Sequence, residues 1–405
     1  MTEFDQIDHL CAAAKPPLWT RVLRAWAERF VAGRLTLVFP EGERHSIIGK
    51  EPGPAVTIHI HRRRMFWRLI SRGDLGLAES FMDGEWSTSD LVGLMELGIK
   101  TKSRFGSLLT LCARLGRVGR PSRPIPANTR AAAAANIAYH YDLGNEFYAA
   151  WLDQTMTYSS ALFTRPDLSL CDAQREKYRR IAEVLQIGPS DRVLEIGCGW
   201  GGFAEYAARE IGCHVTGITL SREQANYARE RLRREGLAER TDIRLQDYRD
   251  AGGSYDKIVS IEMFEAVGEE YWPLFFEVLR ERLAPGGVAA LQIITIADAS
   301  FQAYRRRIDF IQRYIFPGGM LPSPTALASA IDKAGLKLKN RCYFGGSYAT
   351  TLAHWNARFQ SRWHDIAQLG FDGRFRRMWT YYLAGSETCF RLRKIDVGQF
   401  VIARM

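Results

Sequence analysis

The sequence predicts an α/β protein of two domains, a Rossmann-like domain with a mostly parallel sheet preceded by a small α+β unit. Three observations predict it. The 405 residues exceed the roughly 250–300 at which a single core stops growing. From Arg192 onward, apolar strand-like runs alternate with helix-like stretches, the pattern of a parallel sheet covered on both faces. Finally, Val193 to Ile196 runs straight into Gly197-Cys-Gly-Trp-Gly-Gly202, and Phe203 to Arg209 then reads as helix.

That turn carries the first functional signal. Gly197 and Gly199 allow backbone conformations that a Cβ forbids, so a cofactor can lie against bare backbone. A dinucleotide turn is the first rival, and a merely structural turn the second. The spacing Glu195-x-Gly197-x-Gly199-x-Gly201 favours neither, and is similar to that of class I S-adenosylmethionine-dependent methyltransferases.

Composition narrows the class. Hydrophobic residues make up 46% and charged residues 25%, ordinary for a globule. Met1-Thr-Glu-Phe-Asp-Gln6 is polar and acidic, so no signal peptide is expected. The longest apolar stretch, Val288 to Ala297, is interrupted by Gln292 and falls short of the ~20 residues of a membrane span. A cytoplasmic protein is expected. Cys11, Cys112, Cys171, Cys198, Cys213, Cys342 and Cys389 are scattered, which points to neither a disulfide framework nor a metal site. Net charge is +10, and residues 1–130 hold 20 Lys and Arg against 13 Asp and Glu, so most of the excess is N-terminal. Nucleic acid, an anionic membrane surface or a solvated face without a partner all fit that excess. No basic motif interleaved with aromatics supports nucleic acid.

In chain order, Leu18 to Phe30 sets Trp19, Leu23 and Trp26 on one helical stripe, suited either to a membrane surface or to a core. Gly33–Phe39 and Ala55–His61 read as strands, Pro40 to Glu43 as a turn, and Phe66–Ile70 as a helix. Together they make the small α+β unit, residues 1–113. Residues 114–130 turn to Arg, Gly, Ser and Pro, an extended linker. The main domain, 131–405, begins with five alanines and a helix expected across Asn136–Tyr148. Strands follow at Arg192–Ile196, His214–Ile218, Ile243–Leu245, Lys257–Ile261 and Val288–Thr295, with helices at Arg222–Glu235 and Tyr271–Leu283. An insertion at 299–322, rich in aromatics and arginine, is expected over the carboxyl ends of the strands, where ligands bind. The stretch Arg358–Arg404 is basic and aromatic.

After the second strand, an acidic side chain usually holds the ribose hydroxyls of an adenosyl cofactor. Here Thr219, Ser221 and Gln224 offer hydroxyl and amide groups instead, with Glu223 less favoured. Gln246-Asp247-Tyr248, past the third strand, is placed to meet the adenine edge and face.

Further blocks occur in order: His140-Tyr-Asp-Leu-Gly-Asn145, Tyr158-Ser-Ser-Ala-Leu-Phe163, Gly217-Ile-Thr-Leu-Ser221, Val259-Ser-Ile-Glu-Met-Phe-Glu265, Tyr314-Ile-Phe-Pro-Gly318 and Tyr348-Ala-Thr-Thr-Leu352. With these the chain resembles the cyclopropane-fatty-acyl-phospholipid synthase family, which includes mycolic acid cyclopropane synthases. The likeness is dense from about residue 136 to 404, and Met82-Asp-Gly-Glu-Trp86 extends it into the first unit, which resembles a lipid-binding domain. It implies a Rossmann-like class I methyltransferase that transfers a methyl or methylene group to the double bond of unsaturated phospholipid acyl chains, forming cyclopropane fatty acids. The partners implied are those acyl chains and an anionic membrane surface, with the enzyme peripheral at its inner face. No nucleic acid is expected, and a homodimer stays open.

The resemblance also implies site residues. Contacts to S-adenosyl-L-methionine fall to Tyr158, Ser159, Glu195, Gly197, Gly199, Gly201, Thr219, Leu220, Ser221, Gln224, Gln246, Asp247 and Tyr248. A bicarbonate base is implied, held by Glu265, Tyr348 and the backbone of Ile294. Ser160 and Gln292 stand where the family has a cysteine and a histidine. Glutamine does not titrate near neutral pH as histidine does. A methyl-branched or methylene product without ring closure is therefore the alternative. Two others are a lipid-binding protein with a decayed methyltransferase domain, and an enzyme acting on a soluble small molecule or nucleic acid. Phe163, Phe264, Tyr304, Tyr314 and Phe316 are expected to wall an acyl tunnel, where ring faces steady a developing cation.

Overall fold

The structure, a computed structural model, describes residues 32–105, 128–141 and 143–404. The expected helix Leu18–Phe30, most of the linker, Cys11 and Cys112 lie outside them. The chain divides into two compact units, Met1–Arg120 and Pro121–Met405, and the division falls within the segment read as linker.

In the first unit, β1 (Ala32–Val38), β2 (Arg44–Ile48), β3 (Glu51–Ile60) and β4 (Trp86–Ser87) form a sheet in the order β2-β1-β3-β4. β1 and β3 correspond to the two expected strands and pair in parallel; β2 is additional. Leu35, Leu37, Val56, Ile58 and Ile60 alternate into the core, as strand periodicity requires. The helices Arg64–Arg72, Asp74–Met82 and Leu91–Phe105 complete the unit.

The second unit is built on β5 (Arg192–Ile196), β6 (His214–Thr219), β7 (Thr241–Leu245), β8 (Tyr255–Ile261), β9 (Leu283–Ile296), β10 (Leu336–Tyr343) and β11 (Ile395–Arg404). Their order is β10-β11-β9-β8-β5-β6-β7, parallel from β9 to β7, with β11 antiparallel to both neighbours. Five of these are the expected strands. β10 escapes a sequence reading because Lys337, Lys339 and Arg341 are exposed along an edge, and β11 because its buried run Val397–Ala403 sits in a basic, aromatic context. The helix expected across Asn136–Tyr148 is two, Arg130–Tyr141 and Asn145–Trp151, parted near Gly144 at φ +96°.

Alternate residues of each strand enter different cores. Leu194, Ile196, Ile258, Ala289 and Leu291 pack with Phe275 and Phe276 of the helix Trp272–Arg282. Their neighbours Val193, Val259 and Ala290 pack with Tyr178, Phe203 and Ala228, from the helices Leu170–Leu185, Gly202–Tyr206 and Arg222–Arg234. Both sheet faces are thereby covered. A third core is aromatic, with Phe147, Trp151, Trp355 and Trp379 from the helices Asn145–Trp151, Gly345–Ser361 and Gly373–Arg391. Because β6 and β8 flank β5 on opposite sides, the strand order reverses at β5, and its carboxyl end opens a crevice there.

Gly217 of β6 is part of that arrangement. A Cβ there would lie 2.7 Å from Ile243 Cδ1 and 2.9 Å from Cys198 Cβ, whereas one at Gly346 in the helix Gly345–Ser361 meets nothing within 4 Å. Gly217→Ala is expected to lower the unfolding free energy by about 1–3 kcal/mol through overpacking. Gly346→Ala should leave it unchanged or raise it by up to about 1 kcal/mol. Urea unfolding of the two variants checks this, and equal losses would contradict it.

Candidate active site

The glycine turn leaves β5 as expected, with Gly197, Gly199 and Gly201 at φ +84°, +53° and +83°. Their roles differ. A Cβ on Gly197 would stand 2.7 Å from Met263 Cγ, and one on Gly201 3.0 Å from Ala228 Cβ, so these two permit close packing. On Gly199 it would meet nothing within 4 Å, so this stretch of backbone is open to an incoming ligand. Glu195 is 2% exposed and accepts the backbone N–H of Ala204; burial pushes its carboxyl well above the usual range. It supports the turn and the helix behind it, and its Oε2 has no hydrogen-bond partner among the described residues.

The other expected cofactor residues are largely engaged with one another. The Thr219 hydroxyl donates to Gln224 Oε1 at 2.9 Å, and Ser221 Oγ caps the helix Arg222–Arg234 by accepting the Gln224 N–H at 3.2 Å. Leu220 between them is half-buried. Gln246 donates to the Asp250 carbonyl at 2.7 Å. Asp247 was expected at the adenine, yet Arg249 holds both its oxygens, at 2.9 and 2.6 Å. Against the effect of burial, those bonds keep its carboxyl below the usual range. Tyr248 was expected there too; its ring belongs to the core against Phe275, centroids 5.3 Å apart. The Tyr158 hydroxyl bonds that of Tyr382 at 2.8 Å.

The largest departure concerns the anion site. Ser160, Gln292 and Tyr348 were expected, with Glu265 and Ile294, around a bicarbonate, and the three converge on Glu262. The Ser160 N–H donates to Glu262 Oε1 at 2.9 Å, Gln292 Nε2 to the same oxygen at 2.7 Å, and the Tyr348 hydroxyl to Oε2 at 2.7 Å. A bicarbonate held by those residues does not fit, because the donors it needs are bonded to this carboxylate. Glu265 accepts the Ile294 N–H at 2.5 Å, and its Oε2 has no hydrogen-bond partner among the described residues. The geometry follows from the backbone. Glu262 is the first residue past β8, sits at φ +51°, and donates its N–H to the Gln292 carbonyl at 2.8 Å.

Burial raises both carboxyls, and the charge of Glu262 pushes Glu265 further, to about 8. Three donors favour the ionised form of Glu262 and one that of Glu265, so Glu262 is the member of the pair that gives up its proton first. Sequence reading missed Glu262, although a second glutamate three residues before Glu265 was the available signal. It also missed Lys177. That ammonium is fully buried and donates to Ser159 Oγ at 2.6 Å. Burial pulls it down to about 7, opposed by Glu262, Asp153 and Glu195. Its signal was two polar residues, Gln174 and Lys177, on the apolar face of a helix beside Ala173, Tyr178 and Ile181.

The expected tunnel residues divide between two cores. Phe163, Tyr314 and Phe316 pack on the aromatic cluster with Tyr158, Tyr348 and Ile294, and Phe316 lies 4.0 Å from the His140 ring. Phe264 is instead sealed among Trp272, Phe275 and Phe276, and Tyr304 packs on that same core. Neither is placed with the other three. Burial drives His140 down to about 3, so it is neutral, with Nδ1 3.0 Å from the Ile315 carbonyl.

A reversed last strand on a parallel sheet, with the glycine turn at the carboxyl end of β5, defines a class I S-adenosylmethionine-dependent methyltransferase. The model of one family, described as mycolic acid cyclopropane synthetase, matches residues 128–400, and the chain belongs to that family. It is 40% identical to tuberculostearic acid methyltransferase UfaA1 of Mycobacterium tuberculosis, across 97% of this chain and 92% of that one. It is 36% identical to the cyclopropane-fatty-acyl-phospholipid synthase of Escherichia coli K12, across 86% and 87%. The crystal structure of mycolic acid cyclopropane synthase CmaA1 complexed with SAH and CTAB superimposes with a TM-score of 0.64 at 31% identity, covering 67% of this chain and 98% of that one.

Glu265 generates a prediction. Between its ordinary value of 4.5 and about 8, the folded chain holds a proton that the unfolded chain has lost, so this residue makes stability fall as pH rises across that window. Glu265→Gln removes the effect. Thermal melts from about pH 5 to about 8 should show the wild type losing stability relative to the variant; parallel curves would contradict the assignment.

Proposed function

We propose that this enzyme transfers the methyl group of S-adenosylmethionine to a double-bond carbon of unsaturated fatty-acyl chains in membrane phospholipids. The observation that carries the reading is a pair of deep carboxylates, Glu262 and Glu265, beside aromatic rings and on either side of Met263-Phe264, where Met263 packs on the glycine turn. When bound, S-adenosylmethionine supplies an electrophilic sulfonium methyl. The π electrons of the acyl chain form the new C–C bond, and positive charge develops on the neighbouring chain carbon. This chain's groups suit that charge. The ring faces of Tyr158, Phe316 and Tyr382 can lie against it without reacting, and the Glu262 carboxylate opposes it where water is scarce. Loss of a proton from the transferred methyl then closes a cyclopropane or, after a hydride shift along the chain, leaves a methylene group.

In the second reading the proton is lost from a chain carbon and not from the transferred methyl, which keeps its three hydrogens as a methyl branch on a chain that retains a double bond. Two observations favour keeping it in view: Ser160 and Gln292 replace the family's cysteine and histidine, and the relative at 40% identity is named a tuberculostearic acid methyltransferase. Membrane contact is assigned to the basic first unit, where Arg62, Arg63 and Arg64 are exposed beside Trp67, itself 61% exposed. Among the described residues no helix is long and apolar enough to cross a membrane.

One experiment tests substrate, product and surface together. The protein is incubated with vesicles of unsaturated phospholipid and S-adenosylmethionine carrying a trideuterated methyl. Mass spectra of the acyl chains should show a gain retaining two of the three deuteriums, at a rate that falls with salt on anionic vesicles. Three retained deuteriums would establish the methyl branch. Salt-independent turnover on neutral vesicles would remove the membrane assignment, and label found only in a soluble acceptor or nucleic acid would overturn the whole reading.

A further inference from the structure

Accepting that methyl transfer, we propose that Glu262 is the enzyme's own base. Its carboxylate occupies the pocket in which a free bicarbonate would be held, and turnover needs no bicarbonate.

The donors come first. The Ser160 N–H, the Gln292 amide and the Tyr348 hydroxyl are the groups that could bind a small oxyanion here, and each is bonded to Glu262. A second anion would face the Glu262 carboxyl, and the remaining expected donor, the Ile294 N–H, is bonded to Glu265. A relay of amides then sets the direction of the Gln292 side chain. Arg180 donates to Gln399 Oε1, and a guanidinium has no acceptor, so the amide oxygen of Gln399 must face it. The Gln399 Nε2 is left to donate to Gln292 Oε1 at 3.1 Å, which leaves the Gln292 Nε2 to donate to the Ser160 carbonyl at 3.3 Å and to Glu262. Gln292 and Gln399 are directly opposite across β9 and β11, and both are 1% exposed. Buried amides aligned by an arginine to present N–H groups form an acceptor's pocket, and the acceptor present is Glu262. Its left-handed backbone, unusual for a residue with a Cβ, turns the side chain into that pocket and is held there by the Gln292 carbonyl.

The carboxylate also has capacity to react. Oε1 takes two hydrogen bonds and Oε2 only that of Tyr348, which leaves a lone pair on Oε2, and the residue keeps part of its surface accessible. Once the methyl has moved and the chain carries its positive charge, Oε2 removes one proton from that methyl. The C–H electron pair becomes the ring bond or the double bond of a methylene, and the neutral carboxyl afterwards returns its proton to water. Gln292, Gln399 and Arg180 act through Glu262, as positioning residues.

The test compares wild type with Glu262→Gly and Glu262→Gln in bicarbonate-free buffer and with bicarbonate or formate added. The backbone at φ +51° accepts glycine readily, so the first variant opens the pocket and the second fills it without charge. Wild-type turnover should change less than about twofold with bicarbonate, while both variants fall by about 10²–10⁴-fold, the usual range for a lost base. Added anion should restore only Glu262→Gly. Binding of S-adenosylhomocysteine checks the fold of each variant; if Glu262→Gly fails that check, the loss in Glu262→Gln without rescue carries the test. Carbon-13 spectra with labelled bicarbonate should show it bound to Glu262→Gly and not to wild type. Bicarbonate bound to wild type, wild-type turnover that depends on bicarbonate, or full activity in either variant without added anion would overturn the proposal. A wild type inactive on lipid would overturn the function reading, and the binding spectra would still decide the place of Glu262.

Discussion

A carboxylate taken out of water must find donors, and Glu262 finds three, each from a different part of the chain. One comes from the segment Tyr158–Ser160, one from β9, and one from the helix Gly345–Ser361. The residue itself directly follows β8. These elements are therefore brought to one point, and the aromatic core of Trp151, Trp355 and Trp379 lies beside it. The parallel sheet supplies the platform, with the glycine turn on the next strand over, β5.

Charge is the second constraint. Glu262, Asp153 and Glu195 act electrostatically on the buried Lys177, and Glu262 acts on Glu265. Such a group is costly to bury unless its members are paired or neutralised. Here burial and the charge of Glu262 raise Glu265 to about 8 and burial lowers Lys177 to about 7, while three hydrogen bonds oppose the effect of burial on Glu262. An arriving sulfonium cation suits that surplus of carboxylates. So does a carbocation developing on hydrocarbon, which has no other means of solvation in such a place.

Much of the fold is legible in the sequence because parallel strands buried on both faces read as continuous apolar runs. Val193–Ile196 and Val288–Thr295 are the clearest cases. β10 and β11 are not legible this way, since an edge strand studded with Lys337, Lys339 and Arg341 looks like loop. The glycine spacing alone is also weaker than it looks: Gly197, Gly199 and Gly202 satisfy the dinucleotide pattern as well, and it is the reversed β11 that separates the two folds. At the site, residue types were legible while partnerships were not. Ser160, Gln292, Tyr348 and Ile294 are drawn together much as expected, but which of two glutamates three residues apart receives them depends on one backbone angle. Asp247 illustrates the same limit, as its partner Arg249 is two residues away and no sequence period marks it.

The central claim is that a protein carboxylate fills the anion pocket. The most direct measurement is a crystal structure of the protein with S-adenosylhomocysteine and a long-chain amphiphile, grown in the presence of bicarbonate. The account predicts Glu262 still bonded to the Ser160 N–H, Gln292 and Tyr348, with Oε2 facing the acyl chain and no separate anion. A planar anion between Gln292 and Tyr348, with Glu262 swung away, would contradict it.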